Sequence, residues 1–88
     1  MAVTVELALS GNWEILYTNS GAVNVPIVLT PREDGVNWAV REDTTLPAAG
    51  FSGHTLDPNF DRQRIVQPGE TLFVRGQASA VLYHSIGG

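Results

Sequence analysis

Two histidines, His54 and His84, are the chain's only imidazoles, and it has no cysteine. Disulfide frameworks, thiolate metal sites and cysteine nucleophiles are therefore excluded. Around His54, the stretch Ser52-Gly53-His54-Thr55-Leu56-Asp57-Pro58-Asn59-Phe60-Asp61 gathers the residue types of two chemistries. Ser52, His54 and Asp57 are the types of a nucleophile, a base and an orienting acid. Three residues this close in one loop rarely hold triad geometry, which is defined in space. His54, Asp57, Asn59 and Asp61 are donors that a hard cation takes from a loop, but the spacing of an EF-hand is missing. The plainer reading is a turn at Asp57-Pro58-Asn59 with the Asp side chain bonded to the backbone. No G-x-S-x-G elbow and no phosphate-binding glycine loop occurs. The acidic pairs Glu33-Asp34 and Glu42-Asp43 fall at strand ends, where carboxylates are ordinarily solvated. The expectation is a non-enzymatic protein with no catalytic residue, cofactor or metal.

The scaffold that would hold any site is small. At 88 residues the chain is one domain (1–88). With 43% hydrophobic and 16% charged residues it is globular rather than disordered. No apolar run reaches the roughly 18 to 20 residues of a membrane-spanning helix, and Met1–Glu6 lacks the basic and apolar regions of a signal peptide. A net charge of -4 speaks against phosphate neutralisation. Neither nucleic acid nor membrane is expected as a partner. Trp13, Trp38, Phe73 and Tyr83 then read as core or interface rather than as base-stacking platforms. All five basic residues are Arg, which suits interface ion pairs, though a GC-rich genome would give the same bias. A cysteine-free domain of this size has a thin core, so self-association is an expected source of stability.

Alternation marks the strands. Val3, Val5, Leu7 and Leu9 fall on one face of the opening run. Trp13, Ile15 and Tyr17 line a second run, and Val23, Val25, Ile27 and Leu29 a third. In the third, Pro26 predicts an edge position or a bulge. Pro31–Gly35 suits a hairpin loop, and Val36, Trp38 and Val40 alternate after it. These four runs read as a meander of antiparallel strands. Order returns at Arg64–Gln67. Pro68-Gly69 signals a type II turn, and the runs 70–75 and 78–86 follow, each apolar on both faces. The predicted fold is all-β: a small antiparallel β-sandwich or jelly-roll-like barrel of about six to eight strands. The predicted core is Val5, Leu7, Ile15, Val25, Ile27, Trp38, Leu72, Val74 and Leu82.

Two stretches carry a family resemblance. Leu16-Tyr17-Thr18-Asn19-Ser20-Gly21-Ala22-Val23-Asn24-Val25-Pro26-Ile27-Val28-Leu29 resembles the strand, Asn-Ser-Gly turn and Val-rich strand of small β-sandwich virion proteins of tailed bacteriophages. Gln67-Pro68-Gly69-Glu70-Thr71-Leu72-Phe73-Val74-Arg75-Gly76-Gln77-Ala78-Ser79-Ala80-Val81 is similar to their Pro-Gly-Glu turn, apolar strand and closing Val strand. The resemblance implies head decoration (cement) proteins or head- and tail-fibre modules, usually trimeric. It implies a virion location, with the phage major capsid protein or another virion protein as partner. The rival from another class is a carbohydrate-binding β-sandwich with Trp13, Trp38 or Tyr83 as stacking platforms.

Between the two stretches lies a long loop or arm at about 43–63 with no period. Loops of this length are usually functional or disordered, and its large apolar residues argue against disorder. One short strand near Thr44–Leu46 or Phe51–His54 is compatible with the pattern. The candidate partner-docking residues are Leu46, Phe51, Leu56, Phe60, Arg62 and Arg64. The alternative is a loop folded back over its own sandwich.

Overall fold

The computed structural model describes residues 3–87. Its strands are β1 (Thr4–Ala8), β2 (Glu14–Thr18), β3 (Val25–Pro31), β4 (Asn37–Arg41), β5 (His54–Thr55), β6 (Arg62–Val66), β7 (Thr71–Arg75) and β8 (Val81–Ile86). They form two four-stranded antiparallel sheets, ordered β1-β8-β3-β6 and β2-β7-β4-β5. β1 pairs with β8, β2 with β7, β3 with β6 and β4 with β5. The chain is thus one long hairpin with its tip between β4 and β5. Rolling it up brings β3 against β8 and β4 against β7. That is a jelly-roll form of the β-sandwich.

The first four strands do not form the expected meander. Each crosses to the opposite sheet, so Pro31–Gly35 is a corner between sheets and not a hairpin loop. Alternation reports that a strand has one buried face; it carries no label for the neighbour that completes its ladder. Pro26 departs from expectation in the same way, because β3 is interior, between β8 and β6. Its register with β8 ends at Ile27↔Ile86. The Pro26 carbonyl beyond that point accepts Gly87 N–H at 2.7 Å. The missing donor therefore faces β8 one residue past the last registered pair, and toward β6 Pro26 is a non-hydrogen-bonded partner of Ile65.

The space between the sheets is filled by Leu9, Ile27, Leu29, Val36, Leu56, Val66, Leu72, Val74, Ala80 and Leu82. Leu7, Val25 and Trp38 are half-buried against this core. Two predicted core residues are not in it. Ile15 is exposed because the β2–β7 register shifts between Ile15 and Tyr17. The shift turns Trp13 and Ile15 outward while Leu16 and Tyr17 pack inward. Val5 is 47% exposed; it lies on the inner face of β1, but that face is left partly uncovered at the sheet edge. β7 is buried on both sides, as its doubly apolar sequence implies. Leu72 and Val74 face the main core, and Phe73 joins Trp13 and Ala39 in a second cluster on the outer face.

Asn19 is the buried polar residue that ties the corners together. Its side-chain amide donates to Val23 O and Val66 O, both at 2.8 Å, and its Oδ1 accepts Gly21 N–H at 3.0 Å. Its backbone N–H donates to Glu70 O, and its carbonyl accepts Gly69 N–H. Gly69 has φ 86°, the positive angle that the Pro68-Gly69 turn needs. Two substitutions test this account by thermal and denaturant unfolding. Leu72→Ala should cost about 2–5 kcal/mol. Asn19→Ala, which strips a donor from two carbonyls, should cost about 1–3 kcal/mol; an unchanged midpoint in either variant removes that residue from the framework.

Candidate docking surface

The hairpin tip, residues 42–53, does not project. It folds back over the outer face of the β2-β7-β4-β5 sheet, while the rest of the segment expected as a loop or arm at 43–63 holds β5, a turn and the start of β6. Trp13 organises the contact. Its indole N–H donates to Phe51 O at 3.2 Å, and the two rings lie 6.1 Å apart at 46°. Arg75 sits over the Trp13 ring at 4.8 Å and donates to Ala49 O at 2.6 Å. Asn37 donates its side-chain amide to Ser52 O at 2.7 Å. Gly53 closes the fold-back. Its φ is 66°, and a Cβ there would meet the Trp13 ring and Trp38 O at 2.7 Å. Glycine is required at that position both for backbone angle and for space.

The candidate residues fall into different environments. Leu46 and Phe51 remain 52% and 47% exposed beside Trp13. Leu46 lines an open cleft of about 290 Å³ with Gly11, Asn12, Trp13, Pro47, Ala49 and Arg75. Phe60 is 69% exposed but stands on a separate turn, where Asn59 N–H donates to Pro31 O at 2.6 Å. Leu56 is a correction: it is 1% exposed and part of the main core. Its backbone N–H bonds Val36 O, which draws the side chain inward directly after β5. That short strand is the one anticipated near Phe51–His54, although only His54 and Thr55 pair.

The two arginines are also engaged within the chain. Arg62 pairs with Asp57 at 3.4 Å. Arg64 lies 4.3 Å from the Trp38 ring, which His54 stacks on at 4.4 Å and 27°. Burial, and next the like charge of Arg62, hold the Arg64 guanidinium below its ordinary pKa. Asp61 accepts the Thr30 hydroxyl at 2.6 Å. The polar residues around His54 thus turn to separate partners, and among the described residues no group of three or more His, Asp or Glu could hold a metal ion. Trp13 and Trp38, the candidate sugar platforms, already carry Arg75, Phe51, Arg64 and His54 against them. Tyr83 has Arg32 at 5.7 Å.

One apolar surface escaped the sequence reading. Val3, Val5, Ile86 and His84 line a groove of about 230 Å³ along the β1 edge. The alternation of β1 marked these valines as inward-facing, and nothing local signals that the opposite sheet stops short of them. No family model, curated protein or solved structure matches the chain.

His84 at the groove has its pKa lowered by burial, and its Nδ1 is buried without a partner. The unfolded chain, with His84 at the ordinary 6.5, then binds more protons than the folded one in the window just below that value. The His84 contribution to stability is therefore fully present above about pH 6.5 and is lost as the pH drops below it. Melting curves across the window should show this decline, and His84→Leu should flatten its histidine component. An identical slope in the variant refutes the assignment.

Proposed function

We propose that the chain is a non-enzymatic structural protein of a tailed-bacteriophage particle, which decorates and stabilises the capsid as a homo-oligomer. The observation that carries this reading is the pinned hairpin tip. A domain with a thin core pins residues 49–52 through Trp13, Arg75 and Asn37, yet leaves Phe51 there and Leu46 beside it half exposed. Large apolar side chains displayed on a rigid mount suit docking to a preformed surface, because little ordering entropy remains to be lost. The two resembling stretches, Leu16–Leu29 and Gln67–Val81, also meet through Asn19, so they form one structural unit. By fold analogy, the jelly roll serves capsid and lectin domains alike. The blocked faces of Trp13 and Trp38 favour the capsid reading over sugar binding.

Co-sedimentation with phage capsids formed by the major capsid protein tests the proposal, with tail fractions in parallel. The wild-type chain should pellet with capsids. Phe51→Ser/Phe60→Ser should fold with a similar melting temperature and bind at least tenfold more weakly. Wild-type binding by the double variant excludes these phenylalanines from the contact, and pelleting with tails alone would place the protein in a fibre or tail tip.

A further inference from the structure

The edges of the two sheets are unequally protected. A free edge presents unpaired N–H and C=O groups, and soluble proteins blunt such edges with short strands, bulges or inward-pointing charges. β5 is two residues long. β2 has its register shift between Ile15 and Tyr17. β6 places Arg62 and Arg64 opposite Leu29 and Ile27, on the core-facing side of its sheet. β1 has none of these devices. It is a regular five-residue strand with Val3 and Val5 exposed beside it, and no described strand occupies its outer side.

The orientation of its amides can be worked out. Leu9 N–H donates to Ala80 O, so by alternation the main-chain groups of Leu7 and Val5 also face β8. Those of Thr4, Glu6 and Ala8 face outward. An antiparallel partner must therefore match even-numbered residues. For a second copy of β1 the candidate registers are few. Glu6 opposite the partner's Glu6 makes the most hydrogen bonds but sets two carboxylates face to face. Val5 opposite the partner's Val5 removes that conflict: Glu6 then faces the partner's Thr4, whose hydroxyl can donate to the carboxylate. In the same register Val3 faces the partner's Leu7, so the inner face is apolar along its whole length.

We propose that β1 is a self-association edge. Two copies of this chain pair their β1 strands antiparallel about a two-fold axis at Val5, joining the β1-β8-β3-β6 sheets into one eight-stranded sheet. The contact is isologous and closes at two copies, unlike the three-fold order implied by the family resemblance. It stands independently of capsid binding.

A cysteine scan tests it, because the chain has no thiol of its own. In the Val5-centred register the two Val5 Cα atoms form a non-hydrogen-bonded pair about 4.5 Å apart, within the range that a disulfide spans. The two Leu7 positions are offset by four residues, about 13 Å. Val5→Cys should cross-link to a dimer under mild oxidation, whereas Leu7→Cys and Glu6→Cys should not. Light scattering should give a dimer for the wild-type chain at tens of micromolar. Val5→Lys should be monomeric with a near-wild-type melting temperature, since Val5 lies outside the core. A wild-type monomer or trimer, or preferential cross-linking through Glu6→Cys or Leu7→Cys, overturns the proposal.

Discussion

The hydrogen-bonded environment of Asn19 is the constraint on which the architecture turns. A rolled hairpin must reverse direction between sheets at several corners, and each corner leaves backbone groups that no ladder satisfies. At one end of this sandwich, Asn19 answers for two corners at once. Its side chain bonds the β2–β3 corner through Val23 O and Gly21 N–H, and it reaches across to Val66 O at the end of β6. Its backbone exchanges bonds with Gly69 and Glu70. A side chain that both donates and accepts is needed, which an apolar residue or a carboxylate cannot supply. The corners joined this way are far apart in sequence, so this link helps specify how the hairpin is rolled as well as how strongly it holds.

Within that frame, parts of the fold are legible in sequence for definite reasons. β7 is doubly apolar because it is covered on both faces, and Leu72-Phe73-Val74 announces this directly. The Pro68-Gly69 turn follows from backbone angles that few residues adopt. Strand pairing was not legible: β1 and β8 are neighbours separated by most of the chain, and no short-range pattern encodes that. Leu16 illustrates a subtler loss. One extra residue in β2 reverses the facing of its neighbours, so the alternation of Trp13, Ile15 and Tyr17 gave a face that does not exist.

The docking candidates divide along the same line. Leu46 and Phe51 were identifiable as large apolar residues in an aperiodic segment, and the structure leaves them exposed. Leu56 had the same signature but follows β5, whose two residues suffice to carry it into the core. Composition cannot separate an apolar residue destined for the core from one held on the surface. The distinction rests on what holds the local backbone, Leu56 N–H to Val36 O in one case and the Trp13 indole N–H to Phe51 O in the other.

Three of the five arginines make a contact that favours Arg over Lys. Arg32, Arg64 and Arg75 lie over Tyr83, Trp38 and Trp13, a contact that a planar guanidinium makes better than an ammonium. Arg41 and Arg62 pair with Asp43 and Asp57. All five cations thus have partners inside the chain, while Glu6, Glu33, Asp34 and Glu42 stand exposed. The charge this molecule offers to others is therefore acidic. Arg62 and Arg64 would have to leave existing contacts to pair with an acidic partner, whereas a surface bearing lysine or arginine meets the unpaired carboxylates directly. On the proposed capsid-docking reading, electrostatics would steer the approach to a basic surface, and the apolar side chains at the hairpin tip would supply the hold. Added salt should slow the encounter more than it speeds release, because screening acts on separated charges and leaves buried apolar area unchanged.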